Sequence, residues 1–590
     1  MLARRAWLFG AVAATAPTLL AFNVAPSPTF LNQALAIAAW GWFVWGVVPE
    51  GRGAWAAARP VWGALGLLMM AALASSAWGA LPWSLGASAL ALLACAATLL
   101  AHGAGTRQQS QALVVFEAFC GGFVVAGVIN ALLAAVQVFA PSVPDGDWLA
   151  ISGIPGRAVG NLRQPNHLSS LLMWSAVAVV ALCALGRLSW RWAAGLGALI
   201  LLGVVLTASR TGTLSVMLLA AWGLVDRRLP QPARRLLVLS PLVYALAWAG
   251  LTWWSQSSAQ VFGGAARLSE HDVSGSRFGI WANTWALIRM HPMWGVGFGE
   301  FNFAWSLTPF AGRPVAFFDH THNLVLQLAV ELGLPVAALV CGLLAWGFWL
   351  AFKRSGAVPG TEGVARRSAF VMVLMMAVHS QLEYPLWYAY FLLPCAWAWG
   401  FALAASPASP EAPAFPPRPG TPMTLAAATL ILGAALSVAD YRRVADIFMA
   451  YDGAPPLSER IRIGQRSVFF AHHAHYAAAT VTDTPSAELP SLQQASHFLL
   501  DTRLMMAWAR AWHELGDEAR AAHLAARLRE FHNPASESFF AGCPPQAATA
   551  VTTVTPELPP QEPALGFPCA PPLKALGWRD FVARGPGLRP

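Results

Sequence analysis

Charge is what this chain has least of. Only 11% of its 590 residues are Asp, Glu, Lys or Arg, against roughly 25% in a soluble globular chain. That scarcity excludes a solvated surface over most of the molecule. Cysteine is also sparse, at seven residues. There are no paired CxxC ligands and no HExxH, so two familiar zinc frames are missing. The glycine-rich turn "GVGFGEF" has no Walker lysine beside it and makes only a weak case for phosphate binding.

What the chain has instead is apolar length. Hydrophobic residues make up 57%, with 28 Trp and a mean hydropathy of +0.52. Apolar runs of about 20 residues are the signature of membrane-spanning helices. They lie near 6–22, 31–49, 61–79, 81–101, 112–139, 168–186, 191–207, 212–225, 236–254, 325–351, 368–382, 386–404 and 422–439. The fold class is therefore all-α, a polytopic helical membrane protein with about 13 spans. The first run follows Arg4 and Arg5, as in a signal peptide, but with so many spans after it we read it as the first of them. The 325–351 run is long for one span and is expected to begin as an interfacial or re-entrant helix.

The net charge of +9 does not point to nucleic acid here, because arginines in short loops of a membrane protein set its topology. Arg4 and Arg5 put the N-terminus in the cytoplasm. Every second loop is then basic: Arg52 and Arg59; Arg107; Arg187 and Arg191; Arg227, Arg228, Arg234 and Arg235; Lys353, Arg354, Arg366 and Arg367. The Pro-rich linker 406–422 follows on the same side. The opposite loops carry the polar oddities: "GRAVGNLRQPNHLSS" in 140–167, "ASRTGT" at 208–213, a long segment 255–324, and "HSQLEYPLWYAY" at 379–390. The organisation expected is transmembrane helices over 1–254, a large extracytoplasmic loop over 255–324, transmembrane helices again over 325–439, and an extracytoplasmic helical domain with an irregular tail over 440–590. Within the last, 499–531 reads as two helices joined at Gly516, a hairpin of tetratricopeptide type. Five cysteines lie in apolar runs; Cys543 and Cys569 lie in the polar region and, if it is extracytoplasmic, can pair.

Several polar groups thus face one side. Arg163, Gln164, Asn166 and His167 precede a helix, with Pro165 in its opening turn. They read either as a helix cap or as the polar edge of a binding site, where Gln164 can both donate and accept. Arg210 stands in a short turn, either snorkelling to headgroups or facing an anionic headgroup. Arg277 opens a helix-like stretch, 278–290, at the end where the macrodipole disfavours a cation, which suggests an anionic partner. The same stretch presents Phe278, Trp281 and Trp285 at helical spacing, a face suited to the bilayer surface. "DHTHN" holds Asp319, His320, His322 and Asn323. It reads as a helix cap, as a metal site, or as a histidine acting as general base or phosphate donor. Glu383 and Tyr384 sit in a turn where an interfacial tyrosine is ordinary, although Tyr384 between Glu383 and Pro385 is less so.

Taken in order, "RQPNHL", "ASRTG", "SRFGIW…HPMWGVGFGEF", "HTHNLVLQ" and "LEYPLWY" resemble bacterial protein O-oligosaccharyltransferases of the pilin-glycosylation type, within the O-antigen ligase and polymerase superfamily. The resemblance implies en bloc transfer of a glycan from undecaprenyl diphosphate to Ser or Thr hydroxyls of a periplasmic acceptor protein such as a pilin. It implies a bacterial inner-membrane location with the active site and C-terminus periplasmic, and no nucleotide or metal cofactor. By the same resemblance Gln164, His322 and Tyr384 are the functionally important residues, and Arg210 and Arg277 lie near the diphosphate. Arg163, Asn166, Asp319, His320, Asn323 and Glu383 are supporting candidates. An O-antigen ligase or polymerase acting on a glycan acceptor is the alternative. A transporter would instead place ionisable residues near the midplane.

Overall fold

The computed structural model describes residues 2–48, 58–107, 111–258, 260–264, 273–310, 312–315, 317–404, 421–544, 566–572 and 574–582. Arg52, most of the Pro-rich linker and residues 545–565 of the tail lie outside these. All regular structure among the described residues is helical.

Each of the thirteen apolar runs coincides with a helix. In chain order the first nine are α1 (Leu2–Leu19), α2 (Phe30–Gly46), α3 (Arg59–Ala77), α4 (Trp83–Arg107), α5 (Ala112–Phe139), α6 (Pro165–Ala184), α7 (Trp190–Thr207), α8 (Arg210–Val225) and α9 (Gln231–Ser257). The loop that follows contains α10 (Val273–Met290) and the short α11 (Phe301–Leu307). The bundle resumes with α12 (Leu324–Ala357), α13 (Gly360–His379), α14 (Ala389–Leu403) and α15 (Thr421–Phe448). Eight of these helices are long and apolar enough to cross a membrane by length and composition, and α8 and α14 are shorter apolar helices. The chain is a multi-pass helical membrane protein.

The helix α6 is the axis of the bundle, with every residue from Pro165 to Leu182 buried. It packs against α5, α7, α8 and α13, and Trp174 donates to the Met372 carbonyl of α13 at 2.9 Å. Without a hydrophobic driving force between helices in lipid, association depends on close backbone approach. Gly103 of α4 and Gly400 of α14 supply it: a Cβ on either would stand 2.1 Å from a carbonyl oxygen of the other helix.

The long run at 325–351 is two helices, as its length suggested. Gly333 breaks α12 at φ 75, ψ 160, with Pro335 just beyond. The piece from Leu334 onward is 24 residues by the bounds of α12, about 36 Å at 1.5 Å per residue, enough to cross alone. The carbonyls freed at the break are taken by the glycine-rich turn: Val296 and Gly297 donate to Val330 and Glu331 at 2.9 and 3.0 Å. That turn therefore serves as a backbone dock, which is why glycine is needed there: a Cβ on Gly295 would meet the Glu331 carbonyl oxygen at 2.5 Å.

After α15 the chain forms α16 (Leu457–Gly464), α17 (Ala471–Val481), α18 (Leu489–Ser496), α19 (Thr502–Glu514) and α20 (Glu518–Glu530). The last two form the expected hairpin, turning at Gly516 with φ 77; Asp501 and Asp517 cap them by accepting from Leu504 and Arg520. Cys543 and Cys569 are disulfide-bonded. This region and the long loop share one apolar core, in which Phe303, Trp305 and Phe318 are buried with Trp508, Leu524 and Phe531. Arg313 ties the two together. It donates to Glu530 at 2.9 Å and to the Trp305 carbonyl at 2.8 Å, and lies over the rings of Trp305 and Phe531.

Candidate active site

The turn after α13 ends in Glu383, and four separate segments converge on it. Its Oε1 accepts from Asn166 Nδ2 of α6 at 2.9 Å and from Arg277 Nη2 of α10. Its Oε2 lies 2.8 Å from His322 Nδ1, in the loop before α12. The fourth segment, the turn between α7 and α8, enters through Ser209. This residue caps α8, and its Oγ donates to Asn166 Oδ1 at 2.7 Å. Glu383 is 6% exposed. Burial alone would raise its carboxyl, but the hydrogen bond and charge of His322, with the charge of Arg277, overcome that and lower it to about 2. An ionised carboxylate only accepts, so Nδ1 of His322 is the donor whether or not the ring is charged, and in the neutral imidazole Nε2 then carries the lone pair. Nε2 has no partner among the described residues, and the side chain is 17% exposed.

Local structure fixes that histidine. His322 has φ 55, a conformation uncommon for a residue with a Cβ. On one side Asn323 caps α12 by accepting from Leu326 at 3.0 Å, the cap anticipated for this motif. On the other, Thr321 donates to Gln327 Oε1 at 2.8 Å, and its carbonyl accepts from Trp281 Nε1 at 2.9 Å. The aromatic stripe of α10 is therefore divided. Phe278 and Trp285 are exposed, while Trp281 anchors the histidine loop.

Tyr384 belongs to the same constellation. Its ring stacks on His320 at 4.3 Å and meets His322 edge-on at 5.0 Å. Burial, then the charge of Asp319, raises its hydroxyl far above the ordinary tyrosine value, so it remains a neutral donor. Asp319 Oδ1 lies 3.2 Å from His320 Nδ1. Tyr390, further along the same motif, is buried and its hydroxyl sits 3.1 Å from His167 Nδ1.

The remaining sequence candidates stand around this centre rather than in it. Gln164 is the cap of α6, its Oε1 accepting from His167 N at 2.7 Å; its amide nitrogen is left free to donate. Arg163 points elsewhere, donating to the carbonyls of Ala21 at 2.7 Å and Gly146 at 3.4 Å. Arg210 opens α8 next to Ser209 and is exposed, with no partner among the described residues. No group of three or more His, Cys, Asp or Glu side chains among the described residues is placed to hold a metal. One contributor, Ser209, went unread in the sequence. Ser209 lay inside a quoted motif, where a serine before a helix signals a cap. Arg157, inside another quoted motif, braces the same turn from outside the centre, its Nε donating to the Thr207 carbonyl at 2.9 Å.

Cations, a histidine and a tyrosine thus stand together at one end of a helical bundle, and comparison with known proteins says what the chain is similar to. A family model described as O-Antigen ligase matches residues 195–341, one described as Virulence factor membrane-bound polymerase, C-terminal, matches 368–541, and one described as Protein glycosylation ligase matches 158–183. Arg277 and His322 fall in the first, Glu383 and Tyr384 in the second, Gln164 and Asn166 in the third. Among curated proteins, the chain is 27% identical over 294 residues to a general O-oligosaccharyltransferase of Acinetobacter baylyi. It is 25% identical over 285 residues to a ComP-specific O-oligosaccharyltransferase of the same organism. Each match covers 47% of this chain and 50% of the relative, so the chain matches about half the length of the relatives. The resemblance read from the motifs is thus shared by independent comparisons.

Proposed function

We propose that the protein transfers a glycan en bloc from undecaprenyl diphosphate to Ser or Thr hydroxyls of a periplasmic or pilin-like protein. The observation that carries this reading is the convergence of Arg277, His322 and Asn166 on Glu383, with Tyr384 against the histidine. A glycosyl diphosphate is already activated, so the enzyme need only position it, stabilise the leaving diphosphate and take a proton.

In the proposed step the acceptor oxygen attacks the anomeric carbon, and the bond from that carbon to the diphosphate oxygen breaks. The acceptor proton passes to His322 Nε2, and undecaprenyl diphosphate leaves. A single displacement inverts the anomeric centre. Glu383 fixes the histidine tautomer and supports the imidazolium that forms. Arg277 uses Nη2 for Glu383, so its other N–H groups remain for phosphate oxygens, and the exposed Arg210 supplies a second cation. Tyr384 and the amide nitrogen of Gln164 donate to sugar or acceptor groups. The arginine pattern supports a cytoplasmic N-terminus with the site on the opposite side, the resemblance supports an inner-membrane protein with that side periplasmic, and the Cys543–Cys569 bond favours an oxidising compartment for the C-terminal region.

The test is transfer in vitro from a lipid-linked oligosaccharide, with a purified pilin-like protein and a lipid A-core acceptor offered side by side. Modified protein is the expected product. Modification of the glycan acceptor alone would establish the ligase or polymerase reading, which the matches to O-antigen ligase and membrane-bound polymerase models favour as second choice.

A further inference from the structure

We propose that Asn302 and Gln327 are positioning residues for His322, and that Asn302 makes the C-terminal helices part of what holds that histidine. The inference rests on the reading that His322 takes the acceptor proton.

Asn302 lies on α11, in the long loop, and is 5% exposed. Its Oδ1 accepts from the backbone N–H of Leu500, between α18 and α19, at 2.8 Å. Its Nδ2 donates to the Phe318 carbonyl at 2.9 Å. The two partners settle which end of the amide is which, because an N–H must meet the oxygen and a carbonyl the nitrogen. Phe318 stands four residues before His322, and its ring meets the imidazole edge-on at 5.4 Å. One side chain thus ties the C-terminal region to the histidine loop. A second bond fastens the same edge: His497 Nδ1 lies 2.7 Å from Oε2 of Glu300, two residues before Asn302.

Gln327 holds the loop at its other end. It is 3% exposed. Its Oε1 takes the Thr321 N–H, and its Nε2 donates to Glu331 Oε1 at 2.9 Å. The Glu331 carboxylate is held in turn by the backbone N–H groups of Gly299 and Phe301. Both braces therefore start from one stretch, 299–302, and reach the loop at Phe318 and Thr321.

These amides sit against an apolar core that includes Phe301, Phe303, Trp305, Phe318 and Leu328. An apolar residue of similar volume would fill such a place at little cost. A buried amide is unfavourable unless its groups are bonded; what a bonded one adds is a single arrangement of the segments it joins. The loop needs that, since its described residues from Thr308 to Asn323 form no helix or strand and His322 is kept at φ 55.

The full-length chain is purified in detergent, and modification of His322 by diethyl pyrocarbonate is timed by peptide mass spectrometry, which needs no glycan transfer. Steady-state transfer gives kcat and KM beside it. Asn302→Leu and Gln327→Met keep the apolar bulk and remove the bonds. In each, His322 should be modified faster, because it is held less firmly on Glu383. Transfer should lose about tenfold to 10²-fold in kcat with donor KM little changed. Gln327→Glu still accepts from the Thr321 N–H and can share a proton with Glu331, so it should recover most of kcat. Modification no faster than in wild type overturns the assignment of the residue replaced. Faster modification with kcat unchanged upholds the bracing and removes His322 from the proton transfer, so the two failures are told apart. Should Asn302→Leu not fold, Asn302→Asp takes its place: it keeps the bond to Leu500 and sets a carboxylate against the Phe318 carbonyl.

Discussion

Replacing Glu383 by Gln keeps the shape of the side chain and removes its charge. Gln offers one acceptor oxygen where the carboxylate serves Asn166 at 2.9 Å, Arg277 and His322 at 2.8 Å. Its NH2 group must then face either a guanidinium or an N–H of the imidazole, and one donor loses its acceptor. Stranding one partner of a fully buried ion pair costs about 3–5 kcal/mol. The Arg277 side chain is 21% exposed, so water recovers part of that, and a loss of about 1–3 kcal/mol in stability is the better expectation. The effect on turnover should be larger, because His322 loses both its tautomer partner and its orientation. A misplacement of about 1 Å can cost on the order of 10²-fold. Donor KM should be unchanged or lower, since Arg277 is released from its internal anion. The assay is steady-state transfer with donor varied at saturating acceptor, alongside Glu383→Asp, which keeps the charge and should recover part of kcat. A variant with kcat within about threefold of wild type, or a loss confined to donor KM, would refute the assignment of Glu383 as the residue that positions the histidine.

Three further outcomes are expected. His322→Asn should abolish transfer at a modest cost in melting temperature, because asparagine tolerates the left-handed backbone at φ 55 while Glu383 loses one of its partners; residual transfer near wild type would remove the histidine from the chemistry. Glu383 is lowered from 4.5 to about 2 in the fold, so its stabilisation is complete above about pH 4.5 and is lost as pH falls towards 2. The gap in melting temperature between wild type and Glu383→Gln should therefore narrow from pH 7 to pH 3, and a constant gap would contradict the charge argument. Arg313→Gln should loosen the C-terminal helices from the long loop by about 2–4 kcal/mol, since a buried guanidinium with three acceptors and three facing rings is lost; proteolysis should then release 440–590 from detergent-solubilised protein faster than from wild type.

The helices were legible because bilayer length and apolar composition are local properties. All thirteen runs are helices, the break at Gly333 was foreshadowed by an over-long run, and the hairpin at 502–530 turns at the expected glycine. Motif by motif, the site was legible as a set of residues awaiting a centre. Which of them meet was not. Glu383 was one supporting candidate among six, yet it is the group on which the others converge. Arg163 stood beside Asn166 in the sequence and points to other carbonyls. A turn in this chain can be read for what it caps, but not for what it faces.

The sequence by itself determined that the chain crosses a membrane many times, and which polar residues are too costly to be there without a purpose. It did so because lipid penalises each exposed backbone and each charge one segment at a time. The tertiary structure alone decided that one buried carboxylate gathers an arginine, a histidine and an asparagine from segments as far apart as 217 positions. It also decided that the long loop and the C-terminal helices share a core. Those are facts about which surfaces meet, and meeting is set by the packing of the whole bundle rather than by any stretch of it.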